Sequence, residues 1–228
     1  KSLLLSTIEA YMSGKKELFK GLALESLEQE WEEHPIFHLD LNTEEYKNLD
    51  SLKRRLDNTL SYWEQLYGTR PSETSLPLRF EGIVRRACEQ TGHRVVILVD
   101  EYDKPMLQAI GNEELQEEYR SLLKAFYSVL KSQDRYIRLA FLTGVTKFGK
   151  VSVFSDLNNL NDISMDLRYV DVCGLTDKEL HENFDDDIQQ LGRHCGLSKE
   201  ECYAKLKTQY DGYHFRKSGA GLYNPFSI

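Results

Sequence analysis

The sequence feature that constrains the fold most is a run of five apolar residues, Val95 to Val99, followed at once by Asp100 and Glu101. The run is rich in β-branched residues and is apolar on both faces, which is typical of a central strand in a parallel sheet covered by helices on both sides. It is far shorter than the roughly 20 apolar residues of a membrane-spanning helix. The pattern predicts an α/β sheet in which two carboxylates lie at the carboxyl end of a central strand.

Two further segments predict strands of the same sheet. The first is Ile36 to Leu41, which follows a proline and is apolar on both faces, and the second is Ile137 to Val145. Apolar residues at helical spacing predict helices over 43–67 and about 112–131, and a shorter helix over 18–33. Because strands and helices alternate, we expect βαβ units and a three-layer α/β fold with a parallel sheet.

The C-terminal part of the chain has a different pattern. Tyr169 to Val172 predicts a short strand, and two segments, Thr176 to Glu179 and Ser198 to Glu201, have the form of capping boxes that open helices. We therefore expect a core domain over residues 1–173 and a small helical part over residues 174–228.

Composition excludes some classes of protein. The 228 residues carry 29 basic and 37 acidic side chains, a net charge of −8 that disfavours a general nucleic-acid coat protein. Four cysteines without a C-x-x-C pair indicate a reducing, cytoplasmic setting. The six histidines share no spacing, so they are interpreted as structural or surface residues, and the doublets Arg54-Arg55 and Arg85-Arg86 as solvated helix faces.

The acid pair at the end of the central strand is the sharpest functional feature. In open α/β sheets, ligands bind in the crevice outside the carboxyl ends of the strands. In P-loop nucleotide hydrolases this position is the Walker B motif, where the aspartate holds Mg²⁺ and the next glutamate polarises the attacking water. Asp100 and Glu101 fit these roles, and a solvated acid pair at a strand end is the alternative.

Lys1 and Ser2 lead directly into a helical pattern. A phosphate-binding loop ends in G-K-[ST] and starts a helix in the same way. The pair therefore predicts the end of such a loop, with Lys1 near the phosphates and Ser2 on the metal. We expect the glycines of this loop and the first strand of the sheet to precede Lys1.

Other polar residues follow the third predicted strand. Thr143 is a candidate sensor of the γ-phosphate, and the alternative is a threonine that caps the turn at Gly144. The transition state of phosphoryl transfer favours an additional cation. The candidates for this cation are Arg168, Lys147 and Lys150. The alternative is that each of them is a surface charge without a catalytic role.

Two other functions compete with nucleotide hydrolysis. A metal-dependent nuclease would use a set of carboxylates, but the (D/E)-x-K spacing fails because Tyr102 stands two positions before Lys104. The carboxylates concerned are Asp40, Asp100, Glu101 and Asp103. A non-hydrolytic interaction module would bind its partner through aromatic residues near the C-terminus. The alternative is that these residues form a core between the helices and the sheet. They are Tyr203, Tyr210, Tyr213, Phe215, Tyr223 and Phe226.

Several blocks together resemble the AAA-ATPase-like family, P-loop proteins abundant in Bacteroidetes and other anaerobes. They occur in the order of that family and span essentially the whole chain: KSLLLSTIEAYMSGKKELFKGLAL, HPIFHLDLN, RVVILVDEYDKPML, FLTGVTKFGKVSVFSDLNNLNDIS, VCGLTDKEL, YDGYHF and YNPFSI. The DEYDKP and LNNLNDIS strings are the most specific of them.

The resemblance implies a P-loop ATPase domain that binds ATP and Mg²⁺. Lys1 and Ser2 would end Walker A, and Asp100 and Glu101 would form Walker B. Members usually carry a domain similar to PD-(D/E)XK nucleases after the YNPFS block. The resemblance therefore favours an ATPase or ATP switch that regulates an effector, with DNA or a nuclease-like domain as candidate partners, no membrane, and oligomerisation left open.

Overall fold

The computed structural model describes residues 1–145, 153–155, 157–164, 166–169, 171–213 and 221–224. The chain divides into two compact units, Lys1–Leu160 and Asn161–Ile228. The predicted domain limit after residue 173 stays a prediction. No helix in the described ranges is both long and apolar enough to cross a membrane.

The first unit contains a parallel three-stranded sheet in the order β1-β2-β3. Its strands are β1 (Ile36–Asp40), β2 (Val95–Asp100) and β3 (Ile137–Leu142). The register aligns Asp40 with Asp100, so β1 and β2 end at the same level. All six residues of β2 are buried, as expected of a central strand covered on both faces. The predicted α/β fold class is confirmed.

Helices cover the two faces of this sheet. They are α1 (Ser2–Met12), α2 (Ala23–Leu27), α3 (Leu49–Tyr67), α4 (Leu76–Thr91), α5 (Lys104–Gln108), α6 (Glu113–Tyr127) and α7 (Val129–Ser132), with 3₁₀ turns at Lys16–Phe19 and Asp134–Tyr136. The helix predicted over 18–33 is wrong in extent. Gly21 and Trp31 have left-handed φ angles of 80° and 42°, which interrupt a continuous right-handed helix.

Alternate residues of β2 enter two different apolar clusters. Val96 and Leu98 pack with Leu5 of α1, while Ile97 and Val99 belong to the large cluster that contains residues of α3, α4 and α6. Side chains of a strand point alternately to opposite faces, so this division produces three layers. Each such buried side chain contributes about 1.5 to 3 kcal/mol of hydrophobic stabilisation.

The second unit is largely helical. Its elements are α8 (Asp177–Asn183), α9 (Asp185–Cys195) and α10 (Lys199–Tyr210), with a small antiparallel pair, β4 (Asp211–Tyr213) and β5 (Leu222–Tyr223). Both predicted capping boxes are present: the Glu179 N–H donates to Thr176 Oγ1 at 3.1 Å and the Glu201 N–H to Ser198 Oγ at 3.1 Å, and both glutamates reach back.

The strand predicted over 169–172 is wrong. Leu167–Tyr169 forms a 3₁₀ turn, and residues 171–173 form a further turn. The Asp166 carboxylate accepts the N–H of Arg168 at 3.0 Å, and the Asp166 carbonyl accepts the N–H of Tyr169 at 3.0 Å. Such local bonds from an aspartate compete with sheet pairing and favour a turn.

Candidate functional site

The carboxyl ends of β2 and β3 bring together residues from three separate parts of the first unit. Asp100 is the last residue of β2, Thr143 follows β3, and Ser2 is the first residue of α1. Asp100 and Thr143 are each only 7% exposed, whereas Lys1 and Ser2 are exposed. We call this end of the sheet, with Lys1, Ser2, Asp100, Glu101 and Thr143, the carboxyl edge.

The Asp100 carboxylate binds a hydroxyl group through each of its oxygens. Ser2 Oγ donates to Oδ2 at 2.6 Å, and Thr143 Oγ1 donates to Oδ1 at 2.5 Å. A buried carboxylate is costly unless hydrogen bonds replace its hydration, and these two donors supply that compensation. Asp100 thereby joins the start of α1 to the end of β3.

Lys1 lies across the turn that follows β3. Its Nζ donates to the carbonyl oxygen of Gly144 at 2.7 Å. A Cβ atom on Gly144 would lie 2.6 Å from Cε1 of Tyr102 and 2.9 Å from Oδ1 of Asp103, closer than real Cβ contacts allow. This turn therefore requires glycine because of close packing. Since the Lys1 side chain is exposed, its ammonium group is accessible to an anionic ligand.

Glu101 has an unusual backbone conformation. Its φ angle is 52°, in the left-handed region, which costs a residue other than glycine about 1 to 2 kcal/mol. The side chain is 27% exposed, and its Oε2 atom is buried without a hydrogen bond. Lys104 Nζ lies 3.8 Å from this oxygen, an ion-pair distance that is too long for a hydrogen bond. Strained backbone of this kind is common at functional sites.

Asp103 and its neighbours fix the two turns of the carboxyl edge to each other. Asp103 is fully buried and accepts the N–H of Val145 at 2.9 Å. The Tyr102 N–H donates to the Thr143 carbonyl at 2.9 Å. The sequence singled out Asp103 only as a member of a nuclease-like carboxylate set. The DEYDKP string could have indicated the structural role of Asp103, because it places this carboxylate at the start of α5.

The sequence did not predict that Arg55 would lie at the carboxyl end of β1. Its Nε and Nη2 atoms donate to the Asp40 carbonyl at 3.0 and 2.7 Å. Arg54, the other member of the doublet, is exposed and pairs with Glu44. The interpretation of the doublet as a solvated face therefore holds for Arg54 alone, and Arg55 is a half-buried cation beside the strand that aligns with Asp100.

Arg168, one of the predicted cations, pairs with an acid of its own unit. Arg168 belongs to the second unit, where its Nη2 atom lies 2.6 Å from Oδ2 of Asp166. The Arg168 guanidinium lowers the pKa of Asp166 to about 2, chiefly through side-chain hydrogen bonding. Lys147 and Lys150 lie outside the described residues.

The donor set of the carboxyl edge fits a magnesium ion. Ser2 Oγ and the Asp100 carboxylate are hard oxygen ligands, which Mg²⁺ prefers, and they are already adjacent. The Asp40 carboxylate, part of the alternative nuclease set, accepts the N–H of Asn42 at 2.7 Å. Mg²⁺ usually binds through one or two protein oxygens and completes its shell with water and phosphate.

Comparison with known proteins gives two matches. A family model described as AAA-ATPase-like, predicted AAA-ATPase, matches residues 1–154. The chain is also 35% identical, over all 228 residues, to the protein named "Uncharacterized protein in vnfD 5'region" of Azotobacter chroococcum mcd 1. The chain spans 42% of the length of that relative. No solved structure matches the chain.

Proposed function

This chain belongs to the AAA-ATPase-like family, and we propose that it binds ATP with Mg²⁺ at the carboxyl edge and acts as an ATPase or an ATP-dependent switch. The observation that carries the proposal is the hydrogen bond of 2.6 Å between Ser2 Oγ and Asp100 Oδ2. In P-loop NTPases the serine or threonine that ends the phosphate loop and the Walker B aspartate hold the same ion. The contact joins residues 98 positions apart in the sequence, which supports the proposal.

The start of α1 supports phosphate binding. Lys1 is the N-cap of this helix of 11 residues, whose first N–H groups and dipole favour an anion at its N-terminus. The Lys1 ammonium would exchange the Gly144 carbonyl for phosphate oxygens, which carry a full negative charge and bind it more strongly.

The hydrolytic roles fall to Glu101 and Thr143. Glu101 would orient and polarise the attacking water, because its Oε2 atom lacks a hydrogen bond and so is free to accept one. The Thr143 hydroxyl would move from Asp100 to the γ-phosphate, since a hydroxyl has a single proton to donate. The bound Mg²⁺ would neutralise charge on the phosphate oxygens.

Arg168 is our candidate for a further cation, and it would have to leave Asp166 to act. We also propose that the domain regulates an effector, with DNA or a nuclease-like domain as the candidate partner. We propose a cytoplasmic location as well, which the small number of cysteines, all of them free thiols, supports. A non-hydrolytic interaction module is the alternative.

The test is calorimetric titration of ATP into the chain extended by the glycine-rich loop that the sequence predicts before Lys1. We expect one ATP to bind in the presence of Mg²⁺, and binding to weaken at least about 10-fold when EDTA removes the ion or when Asp100 is replaced by Asn. Glu89→Gln, an exposed glutamate of α4, is the matched control. Absence of ATP binding by the folded, extended chain would contradict the proposal, and binding without turnover would favour the switch.

A further inference from the structure

The opposite end of the sheet carries a separate cluster of metal-binding side chains. Glu32, His34 and His93 each offer one ligand atom, and these atoms lie within 4.8 Å of one another. We propose that this cluster is a binding site for a first-row transition metal ion of the Zn²⁺ type. We call it the amino edge, because His34 precedes β1 and His93 precedes β2.

The strand register brings the two histidines together. β1 and β2 are parallel, and Ile36 is aligned with Val96. The residues just before these strands are therefore neighbours, although His34 and His93 stand far apart in the sequence. Their ring centroids are 5.7 Å apart, and the rings are perpendicular. The backbone of His34 is anchored as well, because its N–H donates to the Met12 carbonyl at 2.8 Å.

The position of one proton on the His34 ring is set by the backbone. Its Nδ1 atom lies 2.9 Å from the carbonyl oxygen of Arg94, which can only accept a hydrogen bond, so Nδ1 carries a proton. In the neutral ring, Nε2 then has an unshared electron pair. Metal-ligating histidines are commonly oriented in this way by a backbone carbonyl on the other ring nitrogen.

Nε2 of His34 lies near a carboxylate. Glu32 Oε2 is 3.6 Å from it, too far for a hydrogen bond, and the His34 side chain is only 7% exposed. In the neutral ring both of these atoms are acceptors, so a cation can bridge them. A metal ion would satisfy both atoms, and small side-chain movements would shorten their separation to that of two ligands on one Zn²⁺ ion.

Three carboxylates and one guanidinium line a cavity of about 150 Å³ that contains Glu32 and His34, so the net charge of its lining is negative. The lining residues are Tyr11, Met12, Glu28, Glu30, Glu32, His34 and Arg138. The pKa of Glu28 is lowered, first by the hydrogen bond from Tyr11 and then by the Glu30 N–H, so this carboxylate keeps its negative charge into mildly acidic solution. Glu28 is held by those donors and remains outside the ligand set.

The chemistry of the donors selects the class of metal. Two imidazoles and one carboxylate suit Zn²⁺, Co²⁺, Ni²⁺ or Cu²⁺, whereas Mg²⁺ and Ca²⁺ prefer oxygen ligands throughout. Three protein ligands leave a fourth position for water or another ligand. At roughly 3.3 Å per residue, the amino edge lies roughly 20 Å from Asp100, so this ion would not share the magnesium site.

The first test is calorimetric titration of Zn²⁺ into the metal-free, untagged chain. We expect one ion to bind, and Glu32→Gln and His93→Ala to weaken its affinity by at least about 10-fold each. Glu200→Gln and His194→Ala, an exposed glutamate and an exposed histidine of the second unit, are the matched controls and should bind as the wild type does. Excess Mg²⁺ should not displace the ion. Equal affinity in all folded variants would overturn the proposal.

The second test needs no substitution and therefore does not depend on variants that fold. Nitrogen NMR of the wild-type imidazoles should show that one equivalent of Zn²⁺ shifts the signals of His34 and His93 and leaves those of His38 and His194 unchanged. Shifts of other histidines, or none, would overturn the assignment. A doubly protonated His34 ring that persists with excess Zn²⁺ would do so too, because its Nε2 would have no electron pair to share.

Discussion

The two edges of the sheet differ in how a carboxylate group at each of them is hydrogen-bonded. At the carboxyl edge the buried Asp100 carboxylate accepts hydrogen bonds from the hydroxyl groups of Ser2 and Thr143. Its negative charge is therefore compensated within the chain. At the amino edge the Glu32 carboxylate faces the His34 ring at 3.6 Å without a hydrogen bond. Ser2, Asp100 and Thr143 are thus joined by hydrogen bonds, whereas Glu32 and His34 are not.

The hydrogen bonds at each edge determine how that edge can respond to a ligand. A ligand at the carboxyl edge must exchange existing hydrogen bonds, such as that from Lys1 to the Gly144 carbonyl, which suits a switch between two hydrogen-bonded states. A cation at the amino edge displaces no hydrogen bond between Glu32 and His34. We therefore expect the carboxyl edge to control activity and the amino edge to contribute stability.

The largest expected effect is on turnover at the carboxyl edge. Glu101→Gln removes the carboxylate that would polarise water and keeps the shape of the side chain, so ATP turnover should fall by about 10² to 10⁴-fold while ATP binding is retained. Steady-state phosphate release and calorimetry on the N-terminally extended chain measure the two quantities. Glu89→Gln is the control, and wild-type turnover in Glu101→Gln would remove Glu101 from the mechanism.

A comparison of two glycines tests how tightly the two edges are packed. Gly144→Ala should lower the free energy of unfolding by about 1 to 3 kcal/mol, because the new Cβ meets the Tyr102 ring. Gly92, before β2 at the amino edge, has a φ angle of 75° and open space where a new methyl group would lie, so Gly92→Ala carries backbone strain alone, about 1 kcal/mol. Urea unfolding measures both, and a larger loss for Gly92→Ala would reverse the comparison.

Zinc should stabilise the chain through the amino edge. A ligand that binds only the folded state at 100 times its Kd adds about 2.7 kcal/mol to the free energy of unfolding. We therefore expect Zn²⁺ to raise the melting temperature of the wild type and of Glu200→Gln, an exposed glutamate of the second unit, and to have a smaller effect on Glu32→Gln. Calorimetric melting with and without EDTA checks this. An equal increase in Glu32→Gln would place the ion elsewhere.

The smallest expected effect concerns Glu28 beside the amino edge. Tyr11→Phe removes the strongest of the hydrogen bonds that lower the pKa of Glu28, so this pKa should rise toward its ordinary value. A depressed carboxyl pKa stabilises the fold above the pKa of the unfolded chain, and this contribution disappears as pH falls through the folded pKa. Tyr11→Phe should therefore lose less stability on acidification. Carboxyl NMR titration measures the shift, with Tyr62→Phe, an exposed tyrosine of α3, as control.

Much of the carboxyl edge could be predicted because its signals are local in the sequence. The run Val95 to Val99 identifies a strand by its own composition, and Asp100 follows it directly, so parallel pairing alone places that residue at the ligand-binding end. Helix starts at Thr176 and Ser198 were predicted for the same reason, since a capping box is complete within four residues.

The rest depends on tertiary structure that no local pattern contains. His34 and His93 meet only through the register of β1 and β2, so their lack of shared spacing was misleading. Arg86 was interpreted as part of a solvated doublet, but it is 7% exposed and pairs with the buried Glu73. The helix that apolar spacing predicts over 18–33 ends at Leu27, because the backbone of Glu28 is extended.

The energetic coupling between Ser2 and Asp100 tests whether these two side chains hold one magnesium ion. ATP affinity is measured for the N-terminally extended wild type, Ser2→Ala, Asp100→Asn and the double variant, each with Mg²⁺ and with EDTA. If both side chains hold one ion, the effects with Mg²⁺ will be non-additive by about 0.5 to 3 kcal/mol. The coupling will be smaller in EDTA, where only the direct hydrogen bond joins the two side chains. Additive effects with Mg²⁺, or the same coupling in EDTA, would contradict the account.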